Sequence, residues 1–406
     1  MMKLRVGSAG REKQLVDYVQ LFNDVFAVIY MCTVVAFKET PGAEVTTLGL
    51  FCVTTFINAY LKQVKINAIC LWGIAFYGYC IISGLWAYSP IGAAGLSTTL
   101  AKMVVLITFM SLYLQENRNI EIVLKSIVFG AIIVAILLIV YTPSELWGSD
   151  RLGLNIGMNP NSVGAIFTFA SVICLYFARR NYLYLLLYFL FVFIAIFSGS
   201  RKAFISLFIV ILFYFVNKIK KPSNIAYLVL VGALFYLLFY LSMNNEAIYG
   251  LVGRRMEFLF NYINGEGKVG RSTFIRMDLI SIGIEQFKDK VLIGYGINSF
   301  QYMNRYGYYA HNNYVELLVD YGLIGTALYY IMPVMVLIKL CVVWLYKTRE
   351  VIIAIMFITL IMINDYGVIS YFSSLHIVLL VVSYFISIFA NVQSNDEIKQ
   401  RQESWS

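Results

Sequence analysis

The chain has 406 residues, of which 60% are hydrophobic and only 13% charged, with a mean hydropathy of +0.76. Soluble domains carry about 25% charged residues, so this composition excludes an ordinary soluble enzyme and predicts a protein dissolved in a bilayer. The formal net charge of +9 would suggest a nucleic-acid partner in a soluble chain. Here most of it flanks apolar segments, which points to membrane orientation and to no nucleic acid.

A helix needs about 20 apolar residues to cross the hydrocarbon core. On that criterion twelve spans are predicted, over 19–37, 45–61, 66–87, 97–115, 120–141, 160–178, 181–198, 202–217, 224–243, 312–341, 351–367 and 370–391. The fold class expected is all-α, a polytopic helical bundle. Residues 1–243 carry nine spans, 244–310 form one large loop, and 311–406 carry three spans and a tail. The opening MMKLRVGSAGREK runs into a full apolar span with no small-residue cleavage site behind it, so no cleavable leader is expected. The six cysteines all fall in apolar runs without paired spacing, which suits small buried hydrophobes rather than disulfides or metal ligands.

Charge then sets direction. With both termini cytoplasmic, the inner loops hold Lys62/Lys65, Arg118/Lys125, Arg179/Arg180, Lys218/Lys220/Lys221 and Lys339/Lys347/Arg349. The outer connections KETPGAE (38–44) and SPIGAAGLS (89–97) are net negative and uncharged, as the positive-inside rule requires. The loop 244–310 then lies outside; its eight basic residues against six acidic ones say little, because long loops escape the rule. Arg201 and Lys202 break it, since FSGSRKAF is a short outer connection.

Polar clusters follow in chain order. SDRLGLNIGMNPNS (149–162) places Arg151 outside, with Asn159 as a cap and Pro160 at the first helical position. In FSGSRKAF, Gly199 permits a tight turn and Ser200 caps a helix starting at Arg201. A helix start with an arginine makes an anion site; the alternative is a cation snorkelling to the interface. In the loop, Arg254 and Arg255 add positive charge, and GEGK (265–268) lacks phosphate-loop spacing and reads as a turn. The segment 272–288 puts Phe274, Met277, Ile280, Ile284 and Phe287 on one helical stripe, with Arg271 before its first turn and Arg276 within it. LIGYGINSF, with Gly294 and Gly296, returns the chain toward the tenth span.

That span opens HNNYVELLVDYGLIG (311–325). Asn312 and Asn313 are good helix starters. Glu316 and Asp320 share a face, roughly 8 to 14 Å along the helix, where carboxylates need a wet cavity or a partner. Gly322 and Gly325 suggest close helix packing. His311 is either a structural cap or a functional imidazole; His376, inside the last span, suits a structural hydrogen bond. Asp365 either faces the same cavity or is solvated. No Asp-x-Asp pair, His/Cys ligand cluster or dinucleotide fingerprint occurs, so no metal or other cofactor is expected.

Taken together these motifs resemble the O-antigen ligase and polymerase family of bacterial surface-polysaccharide assembly. The resemblance rests on HNNYVELLVDYGLIG, on Arg271 through GYGINSF, on the SGSRKA turn and on Arg151 with NPN, covering roughly 150–325; a tryptophan often found in the short helix is replaced at Phe274 or Ile275. It implies a GT-C-like bundle in the bacterial inner membrane, with catalysis on its outer face. It implies an inverting, metal-independent glycosyltransferase that takes a glycan from polyprenyl pyrophosphate to a glycan or lipid-linked acceptor, beside a chain-length regulator and a flippase. By position, Arg201 and Arg271 bind the pyrophosphate, and His311 orients or deprotonates the acceptor hydroxyl with Glu316 in support. Arg151, Lys202, Arg254, Arg255, Arg276 and Asp320 are further substrate-binding candidates. The many tyrosines and the divergent helix favour a polymerase over a ligase. A flippase is the alternative from another class, but its signature of Gly/Pro-interrupted spans in both halves is missing.

Overall fold

The computed structural model describes residues 2–37, 40–147, 151–216, 271–344 and 349–403, with scattered positions between 229 and 257. All long elements are helices: α1 Met2–Ala36, α2 Pro41–Lys62, α3 Ala68–Ile82, α4 Pro90–Tyr113, α5 Asn117–Tyr141, α6 Pro160–Phe177, α7 Leu183–Phe197 and α8 Arg201–Val216. After the loop come α9 Arg271–Asp289, the short α10 Ser299–Met303, α11 Asn313–Val343, α12 Arg349–Asp365 and α13 Ser374–Glu403. The ninth expected span, 224–243, falls mostly outside the described residues, as do Arg254, Arg255 and the GEGK turn.

Among the described residues eight helices are long and apolar enough to cross a bilayer, α3 being counted with the helical turn that carries it to Trp86. Helices α7, α8 and α12, at 15, 16 and 17 residues, are shorter; at 1.5 Å per residue they reach about 22 to 26 Å. Exposed apolar side chains such as Val53, Phe56, Leu85, Phe129, Ile136 and Ile139 stud the long helices, the surface expected of a protein whose solvent there is lipid. The chain is thus a polytopic helical membrane protein.

The helices form two compact units. Unit 1 comprises Met1–Gly130, Leu279–Ile361 and Val368–Ser406; unit 2 comprises Ala131–Asp278 and Met362–Gly367. Within unit 1, α1 packs on α2, α3 on α4, and α11 on both α3 and α13. An aromatic core fills it: Phe76 lies 5.1 Å from Tyr329 and 6.0 Å from Trp72 by ring centroid, the latter pair stacked.

Within unit 1, Glu44 of KETPGAE sits in the first turn of α2, buried, paired with Lys102 Nζ at 2.8 Å and accepting a hydrogen bond from Ser374 Oγ at 2.5 Å. The burial expected of the cysteines holds for Cys32, Cys70, Cys80 and, in unit 2, Cys174, whereas Cys52 is half-buried and Cys341 is exposed on an apolar helix.

The overlong tenth span has a physical cause. Gly322 in α11 adopts φ 64° and ψ −167° and breaks the helix. The groups freed there are paired by residues 291–296: Tyr295 N–H donates to Val319 O at 2.8 Å and Gly296 N–H to Asp320 O at 2.7 Å, while Leu323 and Ile324 N–H donate to Val291 O and Leu292 O. Residues 323–343 remain as a run about 31 Å long, enough to span, and 313–321 form a separate short helix before it. Gly322 is therefore the break itself rather than a packing glycine. Gly325 is the packing residue, with Tyr321 and Tyr79 where a Cβ would lie.

In unit 2, α6, α7 and α8 pack on one another. The expected caps are present. Asn159 Oδ1 accepts Asn161 N–H at 2.9 Å ahead of Pro160, and Ser200 Oγ accepts Ala203 N–H at 3.4 Å at the start of α8. Gly199, at φ 62°, makes the tight turn between α7 and α8. Gly164 of α6 leaves the room this turn occupies, because a Cβ there would meet Ala203, Ser198 and Ser200 at 2.8 to 2.9 Å.

Candidate functional site

Unit 2 gathers cations. Arg201, at the first position of α8, donates from Nη2 to Thr273 Oγ1 of α9 at 3.0 Å. Arg151 donates from Nη2 to Asn161 Oδ1 at 3.0 Å, which ties the α5–α6 connection to the start of α6. Lys202 Nζ donates to Gly367 O, and its ammonium feels the charges of Arg276, Arg201 and Arg151. Four of the cations singled out in the sequence thus share one neighbourhood. Like charges brought this close repel, and a fold that holds them together makes a place for an anion. Diphosphate oxygens fit such a place, since arginine offers a planar fork of N–H donors. Arg271 begins α9, two residues before Thr273. Asp365, at the end of α12, is fully buried in this unit rather than solvated.

Unit 1 holds the imidazole. His311 precedes α11 and adopts φ 53°, a left-handed conformation for a residue with a side chain. The chain is fixed on both sides of it. Glu316 Oε2 accepts Ala310 N–H at 2.6 Å, and Asn312 Oδ1 accepts the N–H groups of Tyr314 and Val315 at 3.0 and 3.2 Å. The Tyr309 ring lies 4.1 Å from the imidazole, centroid to centroid. Backbone strain held from both sides marks functional positions more often than accidental ones.

The two carboxylates of α11 hold backbone. Both are buried, and instead of reaching into solvent they accept N–H donors from the loop. Asp320 Oδ1 accepts Phe300 N–H at 2.8 Å, at the start of α10, where a carboxylate suits a helix N-terminus. Glu316 acts on the residue before His311, so it positions the imidazole's segment through main chain. Asp320 seats GYGINSF.

Asn313 was expected only as a helix starter. Its Oδ1 accepts the N–H groups of Ser370 and Tyr371 at 3.0 and 3.3 Å, and its Nδ2 donates to Tyr330 Oη at 3.1 Å. The connection before α13 is further held by Tyr77 Oη, which donates to Tyr371 O at 2.5 Å, and by Tyr329 and Ser370 hydroxyls 3.0 Å apart. Burial raises the Tyr371 phenol well above its ordinary pKa. His376 contacts Ser373 Oγ through Nδ1 at 2.9 Å, the structural bond expected.

The packed face of α9 differs from the predicted stripe. Phe274 and Ile284 are exposed, while Leu279 and Gly283 are buried. Gly283 takes Val315 where a Cβ would lie, with Phe300 and Val319 at 3.4 Å. The missing side chain lets α11 approach, so a glycine at spacing four from a leucine marks the contact. Thr273, Asn161 and Gly164 went unread in the sequence and Asn313 was read only as a helix starter; each is a small or polar residue whose partner lies outside its own helix.

Residues 185–330 match the family model described as O-antigen ligase, so over that stretch the chain is similar to this family of surface-polysaccharide enzymes. A search of curated proteins gave no match. The matched span contains Arg201, Lys202, Arg271, Arg276, His311, Glu316 and Asp320; Arg151 lies before it.

Proposed function

We propose that this protein is a glycosyltransferase that polymerises polyprenyl-pyrophosphate-linked oligosaccharide repeats on the outer face of the bacterial inner membrane, with both termini cytoplasmic. The observation that carries the reading is the cluster of Arg151, Arg201, Lys202 and Arg276 beside the SGSRKA turn, in a chain similar over residues 185–330 to the O-antigen ligase family.

The chemistry divides between donor and acceptor. The acceptor hydroxyl attacks the anomeric carbon from the face opposite the leaving group, so configuration inverts, and the C–O bond to pyrophosphate breaks. Negative charge builds on the departing diphosphate, and the guanidinium groups of Arg201 and Arg271 stabilise it without a metal. His311 takes the acceptor proton; imidazoles titrate near neutrality, which suits a general base. Glu316 keeps the segment carrying His311 in place. Arg151, Lys202 and Arg276 complete the donor's anion site, and the glycan itself is supplied by a flippase and limited by a chain-length regulator.

The second reading is ligation to a final acceptor such as lipid A-core, favoured by the description of the matched family. The experiment is reconstitution in vesicles with polyprenyl-pyrophosphate oligosaccharide and a chelator. Longer lipid-linked glycans support the polymerase. Transfer only when lipid A-core is added replaces it with the ligase, and glycan crossing the bilayer without new bonds replaces both with a transporter.

A further inference from the structure

A cavity of about 240 Å³ opens in unit 1 where α4, α10 and α11 begin. Gly92, Asn298, Gln301, Tyr302, Tyr309 and Glu316 are among the residues that line it. The mechanism above assigns no role to this space, and Gln301 and Tyr302 have none elsewhere.

Its walls are built rather than accidental. Asn298, at φ 56°, donates from Nδ2 to Gly92 O at 3.1 Å. Ser83 Oγ accepts Ile297 N–H at 2.9 Å, Ser299 Oγ accepts Tyr88 N–H at 3.0 Å, and Asp320 holds Phe300. Gly92 lacks a side chain where the Tyr302 ring lies, so the ring seats directly on α4. A wall pinned at four consecutive residues, 297–300, is preorganised for a ligand.

The chemistry of the lining selects the ligand. Two phenol rings, two amides and a carboxylate line the space together with Ile91, Leu96 and Phe372, and no cation is among its lining residues. A carboxylate disfavours a phosphate, and an acyl chain would cover the Gln301 amide and the phenol hydroxyls without giving them partners. Rings suit the C–H face of a sugar, while amides and a carboxylate take its hydroxyls. The volume matches that of about eight waters in the liquid, which suits one sugar ring and not a whole repeat. Tyr309 lines the cavity, and its ring lies 4.1 Å from the His311 imidazole at a tilt of 49°, so the sugar held here sits beside the imidazole.

We infer that this cavity is the subsite for one sugar ring of the acceptor glycan, with Tyr302 and Tyr309 as its stacking faces and Gln301 and Asn298 as partners for its hydroxyls. The inference rests on the reading of His311 as the acceptor's base. Tyr302 and Gln301 are specificity-determining residues that bind the acceptor and leave the chemical step alone.

The test uses the full chain in vesicles and, as probe, the free oligosaccharide released by acid from the strain's own polyprenyl-linked repeat. Without its lipid diphosphate this molecule can act only as acceptor. Its binding is followed by saturation-transfer NMR, and its extension by product length. Tyr302→Ala and Gln301→Ala should each raise Kd and KM for the probe by about tenfold, the size of one lost contact, with kcat at saturation retained and Tyr302→Phe near wild type. Unchanged Kd and KM in both alanine variants, or a loss confined to kcat, overturns the subsite. Should Tyr302→Ala fold poorly, Gln301→Ala decides. Tyr302-dependent binding without any extension leaves the subsite standing and overturns the enzyme reading. Extension without such binding does the reverse, and absence of both overturns both.

Discussion

Glu316 Oε2 accepts the backbone N–H of Ala310 at 2.6 Å, six residues back in the chain. This single bond turns a buried carboxylate into a clamp on the segment that presents His311. A helix whose first turn reaches back to hold the preceding loop makes histidine placement depend on an acid that need not touch substrate.

Replacing Glu316 separates that clamp from direct chemistry. Glu316→Gln keeps an oxygen for Ala310 N–H and should retain most activity. Glu316→Ala strands a buried donor, at a cost of about 1–3 kcal/mol, and should lower both melting temperature in detergent and kcat. Equal loss in the two variants would mean that the negative charge itself acts in the reaction.

Arg201 spans the turn after α7 and reaches Thr273 of α9. Arg201→Ala should reduce kcat for glycan transfer by about 10²–10³-fold, the usual effect of losing one preorganised donor. Arg201→Lys should recover little of it, because an ammonium cannot reproduce the guanidinium fork. Product formation in reconstituted vesicles measures both, and activity near wild type in Arg201→Ala would remove this residue from the donor site.

Gly322 occupies a region of backbone space that is essentially glycine-only. Gly322→Ala should cost about 1–3 kcal/mol, since the new Cβ also collides with the Leu292 carbonyl. Thermal unfolding reads the loss, and amide exchange at Tyr295 and Gly296 should speed up as their bonds to Val319 and Asp320 open. An unchanged exchange rate there would show that the break does not depend on this glycine.

Asn313 is fully buried and accepts two backbone donors from the connection before α13. Asn313→Ala leaves both N–H groups without that acceptor, so a loss of about 2–6 kcal/mol is expected from two such groups. Faster hydrogen exchange at Ser370 and Tyr371, with slower exchange unaltered in α6, is the local signature to seek.

Much of the fold was legible from periodicity and composition. Runs of apolar residues predict the helices because a bilayer leaves the backbone no other way to satisfy its hydrogen bonds in a single segment. Local capping at Asn159, Ser200 and Asn312 was also readable, since a cap and its partners lie within three residues of each other. The cationic residues stood out as candidates, because an arginine in a short turn expected to lie outside resists the explanation by orientation.

Other relationships had no local trace. The sequence says that Glu316 and Asp320 need a wet cavity or a partner but not that the partners are the N–H groups of Ala310 and Phe300, because a buried carboxylate takes whichever donors the surrounding loop aims at it. The apolar stripe of α9 pointed to one face, and Gly283 turned another toward α11, since close approach depends on the space a side chain leaves and not on hydropathy.

By itself, then, the order of residues determined that this is a helical membrane protein, where most of its spans run, and which charged groups are candidates for an anion site. Those properties follow from transfer of each short segment between water and lipid, a sum over neighbours in the chain. Only the tertiary structure decided that α11 breaks at Gly322, that Lys202 meets Gly367 and that a cavity forms beside Tyr309. Each of these joins groups far apart in sequence, and such contacts arise from packing and from pairing of buried polar atoms, which no local window contains.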